Sequence, residues 1–367
     1  EDACIKPACN DIDSLIIKYQ LEVSCLQLQA NDTINKIRKE VHDETKKISN
    51  KTSLIINQIL FSEQLEKRID EFHNEMDALN VLRPTMAPKA TQHIRHIIDF
   101  ILMLIDKGKA YHVEGGDVYF SIDSFKEYGK LSGRNPDDMR AGARIAVDER
   151  KQSPLDFTLW KPAKPGEPFW ESPWGRGRPG WHIECSAMSL QLLDGHVDIH
   201  VGGIYLRFPH HENERAQSNA LINEEAVSLW VHGEHLLFEG KKMSKSSGNV
   251  VLLNDVIDKG FDPLAIRLCF LENKYRSQMD LTWNSIEAAD ETLKRWRNKM
   301  ALWGVGTKIT VDPEIETAFN TDLDTSRAII RLREIEKSDQ PDKASIFRYA
   351  DQVLGLDLER PVVAKVL

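Results

Sequence analysis

Apolar residues recur at helical spacing along several stretches of the chain. Between Ala90 and Gly108 they fall on one face and a glycine follows them, so we predict an amphipathic helix that ends at this glycine. The same spacing predicts helices over residues 261–274 and 284–303. Residues 313–353 are predicted to form two more helices, so the C-terminal third of the chain is expected to be all-helical.

Shorter apolar stretches that are interrupted by glycine predict strands. Ala110–Phe120 is predicted to form two short strands joined by Gly115-Gly116. Asp198–Gly203 is predicted to be a strand that runs into a glycine turn. Between residues 130 and 180, prolines alternate with tryptophans, which indicates an ordered but irregular connection.

The N-terminal part of the chain gives weaker patterns. Residues 11–20 predict a helix, residues 21–28 a loosely alternating strand, and residues 54–79 one long amphipathic helix. Residues 31–50 are rich in both lysine and acidic residues. A solvated helix face is the favoured interpretation of that stretch, and a nucleic-acid contact is the alternative.

Composition narrows the classes of protein that fit. A chain of 367 residues suggests two or three domains, and 41% hydrophobic residues are enough for real cores. The net charge of −9 argues against a protein that binds nucleic acid over its whole surface. Five cysteines and no long apolar run predict a cytoplasmic protein without a membrane segment. The first residue is Glu1 and not methionine, so we expect a trimmed or partial product.

Three residues of the middle segment have the chemistry of zinc ligands. Cys185 lies in Gly180-Trp-His-Ile-Glu-Cys-Ser, and Phe208-Pro-His-His-Glu-Asn-Glu follows later in the chain. If a helix begins after Pro209, His210 and Glu214 are four residues apart and share a face. Thiolate, imidazole and carboxylate all bind zinc, although a buried cysteine with surface histidines is the other interpretation.

Two further motifs suit a nucleotide. Gly240-Lys-Lys-Met-Ser-Lys-Ser-Ser-Gly-Asn is dense in cations and hydroxyls, which suits a polyphosphate; an exposed basic turn is the alternative. Gly202 and Gly203 follow a predicted strand, where the backbone can approach a nucleotide closely.

The order and spacing of these motifs resemble a known family. Trp181-His-Ile-Glu-Cys, Asp198-Ile-His-Val-Gly-Gly, Phe208-Pro-His-His-Glu-Asn-Glu and Lys242-Met-Ser-Lys-Ser together resemble the second catalytic half of cysteinyl-tRNA synthetases, which are class I aminoacyl-tRNA synthetases. The resemblance covers about residues 11–355 and is strong over 70–285.

The resemblance implies an α/β fold: a doubly wound, Rossmann-like catalytic domain with a connective insertion, followed by an all-α helical bundle. It implies four parts. Residues 1–60 would be a divergent remnant of the first half of the nucleotide-binding domain, and residues 61–180 a helical and hairpin connective region. Residues 181–260 would be the second half of the catalytic domain, and residues 261–367 a helical stem-contact and bundle domain.

The resemblance also implies a reaction and its residues. Cysteine would be activated with ATP and Mg²⁺ and joined to a cysteine tRNA, with a zinc ion selecting the substrate thiolate. The implied zinc ligands are Cys185, His210 and Glu214, and the residues implied to stabilise pyrophosphate are Lys242 and Lys245. The implied ATP-binding residues are Lys245, His200, Gly202 and Gly203. Trp181 and Tyr205 are implied to contact the amino acid.

The chain departs from the family pattern at three places. The His-Ile-Gly-His tetrapeptide is not present, and neither is the Cys-Gly-Pro stretch that carries the remaining zinc cysteine. Cys4, Cys9 and Cys25 are conceivable substitutes for that cysteine. Tyr205 stands where the family has an aspartate that meets the substrate amine, so a charge-assisted bond is lost there.

These departures leave alternatives open. The chain also stops at Leu367, before the anticodon-binding domain that the family usually carries. One alternative is a ligase that transfers cysteine to a small amine, similar to the enzymes that make mycothiol. The other is a degenerate paralogue that binds a partner without catalysis. We expect ATP, L-cysteine and tRNA as partners, no membrane contact, and a monomer.

Overall fold

The computed structural model describes residues 66–135, 150–243, 250–304 and 306–361. The patterns predicted over 11–20, 21–28 and 31–50 lie outside these ranges. Residues 66–78 are helical, which is the part of the predicted 54–79 helix that is described. The chain forms two compact units: Pro84–Val231 belongs to the first, and Asp70–Arg83 with the described residues from His232 onward belongs to the second.

The first unit contains an antiparallel sheet of four strands. The predicted hairpin is confirmed, with Ala110 paired to Phe120, and two further strands from the connection rich in proline and tryptophan extend it. The strands, in sheet order, are β1 (Ala110–His112), β2 (Val118–Phe120), β3 (Phe157–Pro162) and β4 (Gly177–Pro179).

Asp156 ties this sheet to the turns around it. Its buried carboxylate accepts hydrogen bonds from the Tyr111 hydroxyl at 2.7 Å, the Ile122 amide at 2.9 Å and the Ser153 amide at 3.0 Å. Burial raises the pKa of the Tyr111 hydroxyl, so this group remains a proton donor. Asp156 is therefore a structural residue of the connection.

Three helices pack together in the first unit around a shared apolar core. The predicted helix before Gly108 is confirmed, and Ile97, Ile101 and Leu104 on its apolar face are fully buried. Gly108 has a φ of 66°, a left-handed conformation that suits glycine at the end of a helix. The helices are α1 (Ile94–Asp106), α2 (Trp181–Leu192) and α3 (Glu212–Ile222).

A strand–helix–strand unit carries the sequence motifs. The predicted strand into the glycine turn is confirmed as β5 (Val197–Gly203), which is a neighbour of β6 (Val227–Gly233) in one sheet. Helix α3 connects the two strands. This arrangement is the repeating element of α/β folds, in which sites gather at the ends of the strands.

In the second unit, the described regular elements from His235 onward are one small sheet and six helices. Strand β7 pairs antiparallel with β8 and parallel with β9. The strands are β7 (Leu236–Phe238), β8 (Lys241–Lys242) and β9 (Met279–Leu281), and the helices are α4 (Leu253–Asp258), α5 (Leu264–Leu271), α6 (Trp283–Trp303), α7 (Pro313–Asn320), α8 (Thr325–Lys337) and α9 (Lys343–Leu354).

The prediction of two helices over 313–353 is wrong, because the chain forms three there. Asp322 and Leu323 both have φ near 51°, which interrupts the helical backbone. Asp324 then accepts a hydrogen bond from the Arg327 amide at 3.2 Å and caps a new helix. The prediction that the C-terminal third is all-helical is wrong at β9, which lies within that third; beyond β9, the described regular elements are all helices.

Four basic residues of α6 make internal ion pairs. Arg295 and Lys299 each lie 2.9 Å from the Glu336 carboxylate, and Arg297 lies 2.6 Å from Asp262. Lys294 pairs with Asp290 one turn earlier. The pairs with Glu336 and Asp262 join α6 to other parts of the helical unit, whereas the Lys294 pair lies within α6.

The described ranges confirm the predicted α/β class followed by helices. Among them, no helix combines the length and the apolar character that crossing a membrane requires.

Candidate functional site: a buried cysteine, histidine and glutamate cluster

Helix α3 is polar and yet buried. Its residues Glu212 to Ala220 are all buried, although most of them are charged or polar. Burying such groups costs free energy unless each finds a partner. The Gln217 side chain donates to the Ser186 hydroxyl at 2.8 Å, and Asn219 accepts from the Ala226 amide at 2.9 Å. A helix that buries this many polar groups is more typical of a site than of a core.

Helix α2, the helical turn Arg207–His211 and helix α3 bring the three predicted ligands together. Cys185, on α2, is 3% exposed, and His210 and Glu214 are 0% and 2% exposed. The sulfur, the imidazole nitrogen and the carboxylate oxygen all lie within 4.8 Å of one another. Oε1 of Glu214 is 2.5 Å from Nε2 of His210, which confirms the expected spacing of four residues on one helical face.

This donor set fits a zinc ion. Zinc–ligand bonds of about 2.0–2.3 Å in a tetrahedron place the ligand atoms about 3.4–3.8 Å apart, a separation that the cluster can reach with small shifts. A thiolate and an imidazole are preferred by zinc over calcium or magnesium. Three protein ligands leave a further position for a substrate atom, as is usual in catalytic zinc sites.

A second group shares the same carboxylate. His200, His211 and Glu214 also place one ligand atom each within 4.8 Å of one another, and all three are buried. Nε2 of His200 is 3.3 Å from Oε2 of Glu214. The Trp230 ring lies against both imidazoles, with ring centroids 4.6 Å from His200 and 5.1 Å from His211. His200, which is predicted to contact ATP, therefore lies beside the cluster of Cys185, His210 and Glu214.

Aromatic rings enclose His210 on its other side. The Trp181 indole stacks on the His210 imidazole with centroids 4.0 Å apart and an interplanar angle of 23°. The Nδ1 atoms of His182 and His210 are 2.8 Å apart. Burial, and secondarily His210, lowers the pKa of His182 to about 3, so His182 is neutral at physiological pH.

At Gly202, an added side chain would meet the fully buried His211 ring, whereas at Gly203 it would meet the exposed Tyr205 ring. A Cβ added at Gly202 would stand 2.6 Å from Cε1 of His211, and one at Gly203 would stand 2.4 Å from Cε1 of Tyr205. The Tyr205 side chain is 56% exposed. Their role toward ATP stays a prediction, and so does the contact of Tyr205 with the amino acid.

The base of the lysine-rich loop is fixed to β9 and α6. The Gly240 amide donates to Asp280 Oδ1 at 2.8 Å, and Glu239 Oε1 accepts from the Trp283 amide at 2.9 Å. Lys242 is exposed at the end of β8. Lys245 lies outside the described residues.

Sequence reasoning missed two members of the site. His211 is fully buried beside Gly202, and Trp230 stacks on two histidines. The doubled histidine in Phe208-Pro-His-His was a signal for the first. Trp230 had no local signal, because it reaches the site from β6 through sheet pairing.

Comparisons with known proteins agree with the motif pattern. The family described as tRNA synthetases class I (C) catalytic domain matches residues 9–291. A cysteine–tRNA ligase of Nitratidesulfovibrio vulgaris is 49% identical over 263 residues, which are 72% of this chain and 53% of that protein. One of Thermodesulfovibrio yellowstonii is 41% identical over 335 residues, which are 83% of this chain and 69% of that protein.

A solved structure gives a more distant likeness. Methionyl-tRNA synthetase of Mycobacterium tuberculosis, in complex with methionyl-adenylate, is 12% identical with a TM-score of 0.48, over 80% of this chain and 76% of that one. The chain spans about half the length of the Nitratidesulfovibrio relative. The family match covers more than half of the chain, and the chain therefore belongs to the class I (C) tRNA synthetase catalytic domain family.

Proposed function

We propose that this chain activates cysteine with ATP and transfers it to a tRNA. The observation that carries the proposal is the buried cluster of Cys185, His210 and Glu214, whose donor atoms lie within 4.8 Å of one another. The cysteine–tRNA ligases that this chain resembles support the choice of substrate.

Selection of the amino acid depends on this cluster. A bound zinc ion supplies a soft Lewis acid that holds a thiolate far more tightly than a hydroxyl, which separates cysteine from serine. Cys185, His210 and Glu214 would hold the ion. The Trp181 indole covers the His210 ring and excludes water from that side of the site.

The activation step is a displacement at phosphorus. A carboxylate oxygen of cysteine bonds to the α-phosphorus of ATP, and the bond from that phosphorus to the bridging oxygen breaks, releasing pyrophosphate with its Mg²⁺. Lys242 and Lys245 stabilise the negative charge that grows on the leaving group. The contacts of Glu239 and Gly240 hold the start of their loop in place. The reaction needs positioned charge more than a general base.

The partners follow from the reaction. They are ATP, L-cysteine and tRNA, and we propose a monomer in the cytoplasm, in keeping with the sparse cysteines and acidic net charge. The 2′- or 3′-hydroxyl of the tRNA end attacks the adenylate carbonyl, and AMP leaves.

Pyrophosphate exchange into ATP tests the proposal. Cysteine should support exchange, serine should not, and cysteine should be charged onto tRNA. Lys242→Ala should lower kcat at least 10-fold with little change in the KM for cysteine, because its role is in the transition state. Lys241→Ala, next to it on β8, is the matched control.

The same assays separate the alternatives. Cysteine-dependent exchange without tRNA charging, but with consumption of a small amine, would indicate the amine ligase. Background exchange with every amino acid, in a folded protein with normal zinc content, would indicate the non-catalytic paralogue.

A further inference from the structure

Helix α3 has a second polar side, which contacts the segment of residues 127–134 and not the metal-binding cluster. Oε2 of Glu212 accepts a hydrogen bond from the Ser132 amide at 2.7 Å. Oδ1 of Asn213 accepts one from the Tyr128 hydroxyl at 2.5 Å. Both bonds are buried, so solvent cannot replace them at low cost.

Contacts at both ends of the segment extend this pairing. Nη2 of Arg215 is 2.8 Å from Oε2 of Glu127, and Nη1 is 3.2 Å from the Glu127 carbonyl oxygen. At the other end, the Arg134 guanidinium lies 4.3 Å from the centre of the Phe208 ring. Segment 127–134 therefore contacts 208–215 near both of its ends and at Ser132.

His210 and Glu214, the two proposed ligands within residues 208–215, lie between residues that contact segment 127–134. Glu214 stands between Asn213 and Arg215, and His210 stands between Phe208 and Glu212. Because successive helical residues are about 100° apart, Glu214 faces the cluster while its two neighbours face the segment. A rotation of α3 that broke the segment contacts would also move the Glu214 carboxylate.

We propose that segment 127–134 positions the ligands of the cluster, with Tyr128 and Glu212 as its main positioning residues. Groups that orient metal ligands typically change metal affinity by about 10- to 100-fold when they are removed. The metal-affinity part of this inference rests on the proposed function, whereas the positioning of His210 and Glu214 does not.

The alternative is that the segment only covers α3. A cover without a positioning role affects the stability of the fold and leaves the arrangement of the ligands unchanged. Stability alone cannot separate the two, so the test needs readouts at the cluster itself.

Three variants of the full chain provide the test. Tyr128→Phe removes one hydroxyl and keeps the ring, and Glu212→Met keeps the size of the side chain but cannot accept the Ser132 bond. Glu212→Gln retains an acceptor and should restore the wild-type behaviour. Tyr111→Phe is the matched control. Like the Tyr128 hydroxyl, its hydroxyl donates to a buried side-chain oxygen in the same unit, here the Asp156 carboxylate, but it has no contact with α3 in the described hydrogen bonds.

Two readouts are measured on each variant. The first is the zinc dissociation constant, from competition with a chromophoric chelator. The second is the rate at which a thiol reagent alkylates Cys185 in metal-free protein, assigned by peptide mass spectrometry. Tyr128→Phe and Glu212→Met should each raise the zinc dissociation constant and the Cys185 alkylation rate by about 10-fold. Tyr111→Phe and Glu212→Gln should leave these two quantities unchanged.

Wild-type values for both readouts in Tyr128→Phe and Glu212→Met would overturn the inference, as would equal changes in Tyr111→Phe. If the wild-type chain binds no zinc while Cys185 still becomes more reactive in these two variants, the positioning role stands and the proposed metal site fails.

Discussion

Oε1 of Glu214 lies 2.5 Å from Nε2 of His210, and His210 precedes Glu214 by one helical turn along the chain. The other oxygen of the same carboxylate lies 3.3 Å from Nε2 of His200. The buried Glu214 carboxylate thus contacts two imidazoles, one through each of its oxygens. A metal held by Oε1 and His210 would have this carboxylate oriented through its second oxygen, which is how ligating carboxylates are usually fixed.

Replacing Cys185 by serine should remove most of the bound metal. Serine keeps the size of the side chain but exchanges a soft thiolate for a hydroxyl that zinc binds poorly. We expect zinc to fall from about one ion per chain to less than about a fifth of that, measured by elemental analysis after gel filtration.

The matched control for this change is Cys269→Ser. Cys269 is also buried, and its sulfur donates to the Ser285 carbonyl at 3.3 Å, outside the cluster. Its replacement should leave the zinc content unchanged. Equal loss of zinc in both variants would show that Cys185 is not a ligand.

Alanine at Gly202 should distort the site. The added Cβ would stand 2.6 Å from the His211 ring, a distance that real contacts do not reach. Overpacking of this kind costs about 1–3 kcal/mol, which urea unfolding should detect. Gly233→Ala is the control, because its nearest atom would be 3.8 Å away. A Gly202→Ala variant as stable as the wild type would show that His211 can move aside freely.

Local patterns predicted the elements well and the site in part. The hairpin at Gly115, the helix before Gly108 and the shared face of His210 and Glu214 follow from turn chemistry and periodicity. The approach of Cys185 to that face depends on the packing of α2 against α3, which no local pattern encodes. The resemblance to a family supplied that grouping.

Helix α3 shows the limit of periodicity most directly. Its sequence from Glu212 to Asn219 is the pattern of an exposed helix, yet all of it is buried. Several of its polar groups find partners in other parts of the chain, as Asn213 does with Tyr128. Such partners become visible only when the fold is known.

The basic residues of α6 should differ sharply in their effect on stability. The Arg297 side chain is 4% exposed, donates to the carbonyls of Leu356 and Asp357, and pairs with Asp262. Removing it leaves buried acceptors without a donor, so Arg297→Ala should lower the free energy of unfolding by about 3 kcal/mol. Lys294→Ala should cost about 0.5 kcal/mol, because the Lys294 side chain is 53% exposed.

Urea unfolding followed by circular dichroism compares these two variants. Similar losses of unfolding free energy in the two variants would mean that the contacts of Arg297 with Leu356 and Asp357 contribute little to stability. The same result would indicate that all four basic residues of α6 contribute to stability only as exposed side chains do.

Glu336 should make the stability of the helical unit depend on pH in the acid range. Burial alone would raise the pKa of this carboxyl, but hydrogen bonds from Arg295, Lys299 and Trp296 prevail and lower it from 4.5 to about 2. The unfolded chain therefore binds more protons than the folded one between these values, so the contribution is complete above pH 4.5 and is lost as the pH falls toward 2.

Glu336→Gln isolates this contribution. Since Arg295 is 47% exposed, water screens the pair, and we expect a difference in unfolding free energy from the wild type of about 2 kcal/mol at pH 7. That difference should shrink steadily as the pH is lowered below 4.5 in urea titrations. Glu334→Gln, an exposed change in the same helix, should shift the unfolding free energy by less than about 0.5 kcal/mol. A difference for Glu336→Gln that stays constant from pH 7 to pH 3 would mean that its carboxylate is not held by these donors.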